Sequence, residues 1–127
     1  MYLNEKGVLD SSSAFFHTTS SLAKSLFFYL TCAGHFYCND NYIVERKYHD
    51  SYLLMYIKSG EGSVYYNNKT LNLKANDIVI INCHRPHMYK SENWETLWIH
   101  FDGNISDAYY QLIYDRLGYV TSLQNST

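Results

Sequence analysis

Short runs of alternating hydrophobic and polar residues, separated by turns rich in Asn, Asp and Gly, extend from about residue 26 to residue 101. Alternation of this kind predicts half-buried β-strands, because successive side chains of a strand point to opposite faces of a sheet. The predicted strands lie at residues 26–38, 42–48, 52–58, 62–66, 70–73, 78–82 and 94–101. Asn67 and Asn68 predict a tight hairpin between two of them, since asparagine tolerates positive φ. The region therefore predicts an all-β domain.

Beyond residue 103 the hydrophobic residues change to helical spacing, which predicts a helix over residues 105–117 with Ser106 as its N-cap and Gly118 at its C-terminal end. One apolar stripe of this helix can cover the sheet, and its members are Ile105, Tyr109, Leu112, Ile113 and Leu117. Tyr110 and Tyr114 form a second strip on an adjacent face. Exposed pairs of aromatic rings suit a subunit interface, so we predict a homodimer through this helix.

The two ends of the chain lack these periodic patterns. Residues 1–20 begin with polar residues and are rich in Ser and Thr, which predicts an arm with little structure of its own. Residues 118–127 carry no packing signal and are typical of a linker or a cut end.

Two of the predicted strands carry a mixture of rings and polar groups on the face that alternation assigns to the interior. In the strand at 94–101 this face is formed by Trp94, Thr96, Trp98 and His100. In the strand at 42–48 it is formed by Tyr42, Val44, Arg46 and Tyr48. If the strands curl into a small barrel, these side chains either fill its interior or line a site for one small ligand. Both interpretations stay open, as does the choice for His100 between a ligand contact and a hydrogen-bonded core residue.

The composition fits one folded domain. The chain has 127 residues, and its 14 tyrosines favour strands and surfaces that are both apolar and hydrogen-bonding. The formal net charge is −2 with no basic stripe, which argues against nucleic-acid binding by this segment itself. No apolar run approaches the roughly 20 residues of a membrane span. Three cysteines without a secretory signal indicate a reduced, cytoplasmic compartment.

No arrangement of residues points to catalysis or to a bound metal, so we expect neither a cofactor nor enzymatic activity. The nearest metal-like spacing is that of Cys32, His35 and Cys38, but alternation on a strand places the histidine on the face opposite the two cysteines. His84 and His87 are separated by a proline turn, and no Gly-x-Ser-x-Gly motif occurs. Buried structural cysteines are therefore favoured over a metal site.

Four segments, taken together and in this order, resemble the N-terminal effector-binding and dimerisation domain of AraC-family transcriptional regulators. They are residues 52–62 (YLLMYIKSGEG), 73–81 (LKANDIVII), 85–89 (RPHMY) and 98–101 (WIHF), and the match covers about residues 26–117. The resemblance implies a mainly β fold, namely a cupin-like double-stranded β-helix or jelly-roll barrel with a C-terminal α-helix. It divides the chain into an N-terminal arm at 1–25, a ligand-binding barrel at 26–103, and a dimerisation helix with the start of a linker at 104–127.

The same resemblance implies a function. Proteins of this family often sense sugars, which implies a carbohydrate or similar small-molecule effector and a homodimer. Carried over by position, the pocket includes Arg46, Tyr89, Thr96 and Trp98. DNA would be contacted only by a helix-turn-helix domain absent from this chain, and no membrane is involved. In some members the N-terminal arm folds over the ligand.

Tyr42, Tyr48 and His100 join this set by strand alternation, as residues placed toward the same cavity. Two other functions stay open. One is a small cupin enzyme, a metal-dependent isomerase or oxygenase. The other is a dimerisation module whose barrel is filled by its own rings.

Overall fold

The computed structural model describes residues 5–16, 28–103 and 105–122, and two antiparallel sheets account for most of them. The large sheet has six strands in the order β1-β2-β9-β4-β7-β10, and the small sheet has four in the order β3-β8-β5-β6. The strands of the large sheet are β1 (Ser13–Phe16), β2 (Phe28–Tyr37), β4 (Tyr52–Ser59), β7 (Asp77–Asn82), β9 (Glu95–Gly103) and β10 (Val120–Ser122). Those of the small sheet are β3 (Ile43–Arg46), β5 (Glu61–Tyr66), β6 (Lys69–Lys74) and β8 (His87–Ser91).

One hydrophobic core joins the two sheets. It includes Ile57 and Val79 of the large sheet and Val64, Tyr66 and Tyr89 of the small one, all nearly inaccessible to solvent. Packing of two sheets through alternate side chains is the arrangement of β-sandwiches and jelly rolls. Each of the predicted strands is present, with ends that differ by a few residues, so the mainly β architecture is confirmed.

The turn between β5 and β6 follows the prediction from the sequence. Asn67 and Asn68 have φ values of 52° and 61°, which are both in the left-handed region. Two successive residues of this kind build the two-residue turn whose twist matches that of a hairpin. The turn fixes the pairing of β5 with β6, in which Tyr66 lies opposite Lys69.

The N-terminal segment is more ordered than the sequence predicts. β1 pairs with β2, Val8 forms a bridge to Cys38, and the N–H of Leu9 donates to the carbonyl of Tyr37 at 2.8 Å. These contacts are made by backbone groups, which leave no hydrophobic pattern in the sequence. The expectation of little structure is therefore wrong for residues 5–16, whereas residues 1–4 and 17–25 of the expected arm lie outside the described part of the chain.

Helix α1 (Ser106–Leu117) forms where it is predicted, and Gly118 ends it with a φ of 75°. The predicted N-cap is wrong, because Ile105 occupies that position and no side chain caps the helix. The prediction of a linker or cut end after residue 118 is also wrong for residues 120–122, because β10 pairs with β7 there.

The two faces predicted for this helix have exchanged roles: the face predicted to be exposed packs on the barrel, and most of the face predicted to cover the sheet is exposed. Tyr110 is buried, and its hydroxyl lies 2.8 Å from that of Tyr66, so it holds the helix to the barrel. Tyr114 stacks on Tyr119 with a centroid distance of 4.3 Å. Most of the predicted covering stripe faces solvent instead, with exposed fractions between 43% and 54% at Ile105, Tyr109, Leu112 and Leu117. Tyrosine explains the exchange, because it can be buried wherever its hydroxyl finds a partner.

No helix within residues 5–16, 28–103 and 105–122 has the length and apolar character that crossing a membrane requires.

Candidate functional site

The strands bring most of the predicted ligand residues together in the space between the two sheets. We call this space the interior cavity, and it is lined by Tyr42, Leu53, Met55, Tyr89, Thr96, Trp98 and His100. Five of the seven predicted residues are in this lining. The volume of the interior cavity is about 10 Å³. That is about the space needed by one water molecule, so side chains fill the interior in this conformation.

Aromatic rings occupy that interior in an interlocking arrangement. Trp98 meets Phe36 edge-on at a centroid distance of 5.1 Å, and Tyr42 lies 6.1 Å from Tyr89. The indole of Trp98 also lies over Gly34, its cross-strand partner in β2, where any Cβ atom would overlap the ring. The glycine thus allows the indole to approach the neighbouring strand closely, and the ring forms part of the wall of the interior cavity.

Arg46, the sixth predicted residue, lies at the end of the cavity where β3 ends. One terminal nitrogen of its guanidinium donates to the hydroxyl of Tyr89 at 3.3 Å. The other lies 4.0 Å from a carboxylate oxygen of Glu5, in the N-terminal segment. Burial raises the pKa of Glu5, and the charge of Arg46 partly offsets this effect. Arg46 therefore joins the cavity wall to the N-terminal segment.

Tyr48 does not belong to the cavity, which corrects the prediction for that residue. Because β3 ends at Arg46, strand alternation no longer decides the direction of residue 48. The Tyr48 side chain is 59% exposed, its hydroxyl donates to Asp50 at 3.2 Å, and its ring meets the edge of His84.

Histidines add neutral polar groups to this region. His100 is 1% exposed, its Nδ1 lies 2.8 Å from the Ser51 hydroxyl, and burial together with nearby His49 and Arg46 lowers its pKa to about 3. The ring of His49 lies 4.8 Å from that of His100, and burial with the charge of Arg46 lowers the pKa of His49 to about 4. At neutral pH both rings are therefore uncharged, and Arg46 beside them carries a positive charge.

His87 is a site residue that the sequence analysis missed. It lies two positions before Tyr89 on β8, and its ring stacks on that of Tyr89 at 6.2 Å. Its Nδ1 lies 2.9 Å from the carbonyl of Arg85, and its buried Nε2 has no hydrogen-bond partner within the described part of the chain. The family resemblance placed Tyr89 in the pocket, and alternation applied from Tyr89 could have identified His87, because the two residues share a face of the strand.

A larger opening lies beside Arg46 and His87, at the rim of the small sheet. This rim groove has a volume of about 430 Å³, and its lining residues are Glu45, Arg46, Lys47, Tyr65, Pro86, His87 and Met88. A volume of this size lies within the range of small-molecule sites, whereas that of the interior cavity does not.

The described part of the chain contains two sets of potential metal ligands. Cys32 and Cys38 are buried, whereas His35 points outward and its Nε2 lies 2.7 Å from Glu95. His35 therefore lies on the face opposite the two cysteines, as alternation predicts. Among the described residues, Asp50, His84 and Asp102 place ligand atoms within 4.8 Å of one another. This set lies outside the linings of the interior cavity and the rim groove.

Known proteins share both a sequence profile and a fold with this chain. Residues 30–126 match the profile of the AraC-like ligand binding domain. The fold is similar to that of the cupin 2 conserved barrel domain protein from Leptotrichia buccalis, with a TM-score of 0.57 and 12% identity over 77% of this chain. The chain spans 42% of the length of that protein. A search among curated protein sequences found no match.

Two further barrels are similar to the chain. One is the cupin 2 domain of an XRE family transcriptional regulator from Enterobacter cloacae, with a TM-score of 0.52 and 12% identity over 75% of this chain and 99% of that one. The other is described as a predicted oxalate decarboxylase from Thermotoga maritima, with a TM-score of 0.53 and 17% identity over 80% of this chain and 88% of that one. These similarities confirm the expected cupin-like barrel with a C-terminal helix.

Proposed function

Because this chain belongs to the family of AraC-like ligand binding domains, we propose that it is the effector-sensing domain of a transcriptional regulator. The observation that carries this proposal is the placement of Arg46, Tyr89 and His87 at one end of the barrel, beside an open groove. Charged and neutral hydrogen-bonding groups next to aromatic rings are what a small polar ligand requires. DNA would be contacted by a separate helix-turn-helix domain of the same regulator.

The effector is a small molecule with several hydroxyl groups, such as a sugar. Aromatic rings stack on the apolar faces of such molecules, and Arg46 and the histidines hydrogen-bond their oxygens. The interior cavity of about 10 Å³ must widen before it can admit such a molecule. The effector therefore either displaces the rings around Trp98 or binds at the rim groove.

The regulator is a homodimer that forms through helix α1. Tyr110 is buried and contacts Tyr66, so it does not take part in the interface. The interface uses the exposed stripe that includes Tyr109, Leu112 and Leu117. Tyr114 lies at the border of this stripe, where its ring stacks on Tyr119. Exposed apolar residues spaced along one helix are typical of a surface that a second subunit covers.

Thermal-shift and calorimetric titrations with a panel of neutral sugars and sugar acids test the proposal. We expect at least one compound to raise the melting temperature of the wild type. Arg46→Ala should abolish the shift, and Arg116→Ala, on the exposed end of α1, should retain it. The proposal is contradicted if no compound stabilises the protein, or if Arg46→Ala responds as the wild type does. Stoichiometric metal in the purified protein would instead favour the cupin-enzyme alternative.

A further inference from the structure

We propose that the effector is a hydroxy acid of sugar-acid size, which binds in the rim groove with its carboxylate on Arg46 and one of its hydroxyl groups on Nε2 of His87. This inference rests on the proposed sensing function and adds the chemical class of the effector and the place where it binds. Three observations carry it: the volume of the rim groove, the unpartnered imidazole nitrogen, and the chemistry around Arg46.

The rim groove has room for such a molecule and is lined by Arg46 and His87. Its volume is about 430 Å³, compared with about 10 Å³ for the interior cavity. Arg46 and His87 line this groove, and Arg46 also bonds the hydroxyl of Tyr89 in the cavity wall. A ligand in the groove therefore lies beside both residues without any movement of the rings that fill the interior.

His87 requires a hydrogen-bond donor. Its Nδ1 lies 2.9 Å from the carbonyl oxygen of Arg85, which accepts a hydrogen bond, so Nδ1 carries the proton. In the neutral ring Nε2 is then an acceptor, and the side chain is only 3% exposed. A buried acceptor without a partner is unfavourable. A ligand hydroxyl group would supply the missing donor, and the hydrogen bond from Nδ1 to the carbonyl of Arg85 already orients the ring.

Arg46 favours a carboxylate over a neutral group. A guanidinium presents a planar fork of donors that matches the two oxygens of a carboxylate. Glu5 already places a carboxylate oxygen 4.0 Å from one of the terminal nitrogens, which is beyond hydrogen-bond distance. Along the rim groove the opposite charges of Glu45 and Lys47 offset each other, so Arg46 sets the preference for anions.

Glu5 and an acidic effector therefore compete for the charge of Arg46. The carboxylate of Glu5 reduces the positive potential at the guanidinium and repels a second carboxylate nearby. Neutralising Glu5 should strengthen the binding of an acid and leave the binding of a neutral sugar almost unchanged. This difference separates a charge effect from a general effect on the N-terminal segment.

The experiment compares matched pairs of compounds by isothermal titration calorimetry at low salt: galacturonate against galactose, and glucuronate against glucose. We expect one acid to bind about tenfold or more tightly than its neutral partner. Glu5→Gln should strengthen binding of that acid about five- to tenfold, whereas the control Glu92→Gln, at an exposed position, should not. Arg46→Lys keeps the positive charge but loses the fork and should weaken binding of the acid.

The outcomes distinguish this inference from the proposed function. If a neutral sugar binds as tightly as its acid and Arg46→Ala abolishes that binding, the sensing function survives and the acidic class is wrong. If Glu5→Gln leaves the affinity for the acid unchanged or lowers it, competition at Arg46 is wrong. If His87→Gln, folded by circular dichroism, binds the acid with wild-type affinity, the hydroxyl contact is wrong. If no member of either pair binds, both proposals are contradicted.

Discussion

One of the contacts that attach helix α1 to the barrel is made by a buried hydroxyl, that of Tyr66. This side chain has no exposed surface. Its oxygen accepts a hydrogen bond from the backbone N–H of Asn82 at 3.2 Å and shares a second one with the hydroxyl of Tyr110 at 2.8 Å. Tyr66→Phe removes both hydrogen bonds while leaving the ring in place. It therefore isolates the contribution of the oxygen to the free energy of unfolding.

The loss of free energy of unfolding depends on which groups lose their hydrogen-bond partner when the oxygen is removed. Each hydrogen bond contributes about 1 kcal/mol net, and a buried group left without a partner costs about 1–3 kcal/mol. Because the Asn82 N–H is buried behind the ring, we expect Tyr66→Phe to lower the free energy of unfolding by about 2–4 kcal/mol. Tyr110→Phe removes one of the two bonds and leaves the Asn82 N–H paired, so it should cost about 1 kcal/mol.

Urea denaturation followed by circular dichroism measures these differences. Tyr65→Phe is the matched control, since Tyr65 is the neighbouring residue of β5 and 45% exposed. The double variant of Tyr66 and Tyr110 should lose less than the sum of the single variants, because the two residues share a bond. The reasoning is refuted if Tyr66→Phe is as stable as Tyr65→Phe, or if Tyr110→Phe costs more than Tyr66→Phe.

Three further predictions test the core, the cavity wall and the helix. The folded-state pKa of His100, about 3, lies below the unfolded value, so the unfolded state binds the proton first, and this residue alone should lower stability by about 2 kcal/mol from pH 7 to pH 5. His49, with a pKa lowered to about 4, acts in the same direction, so urea denaturation at both pH values should show a loss of at least about 2 kcal/mol. Gly34→Ala should cost about 1–3 kcal/mol and shift the tryptophan fluorescence, because the methyl group displaces the indole of Trp98; an unchanged spectrum would contradict the packing. Leu112→Glu should dissociate the proposed dimer in sedimentation equilibrium while the melting temperature of the monomer stays within a few degrees, since this side chain is 51% exposed.

The strands were predictable wherever burial coincides with hydrophobicity. In β9 the buried and exposed residues alternate from Thr96 to His100, and the sequence assigns those faces correctly. β8 was missed, because its buried positions are His87, Tyr89 and Ser91, and two of these are polar. β1 and β10 were missed because backbone pairing to a neighbouring strand holds these short segments. Hydrophobic patterning does not record such pairing.

The site was predictable in its lining but not in its volume. Alternation and the family resemblance together identified Tyr42, Thr96 and Trp98 as inward-facing, because strand geometry fixes direction. Whether inward-facing rings leave a space between them depends on how the two sheets approach each other, and no local pattern encodes that distance. The rim groove escaped prediction for a related reason, since its walls come from three different strands and the turn before β8.

Strand β4 lines the interior cavity and also contacts helix α1. At the start of β4, Ser51 bonds His100 on the inner side, and the next residue, Tyr52, donates to Asp107 of the helix at 3.0 Å on the outer side. Adjacent residues of an extended chain point to opposite faces, so a displacement of His100 reaches the helix through one peptide unit. Tyr66 adds a second attachment, from the core of the barrel to Tyr110. A ligand that displaces the cavity wall acts on the same contacts that orient the proposed dimer interface. A ligand in the rim groove reaches that wall through the hydrogen bond between Arg46 and Tyr89.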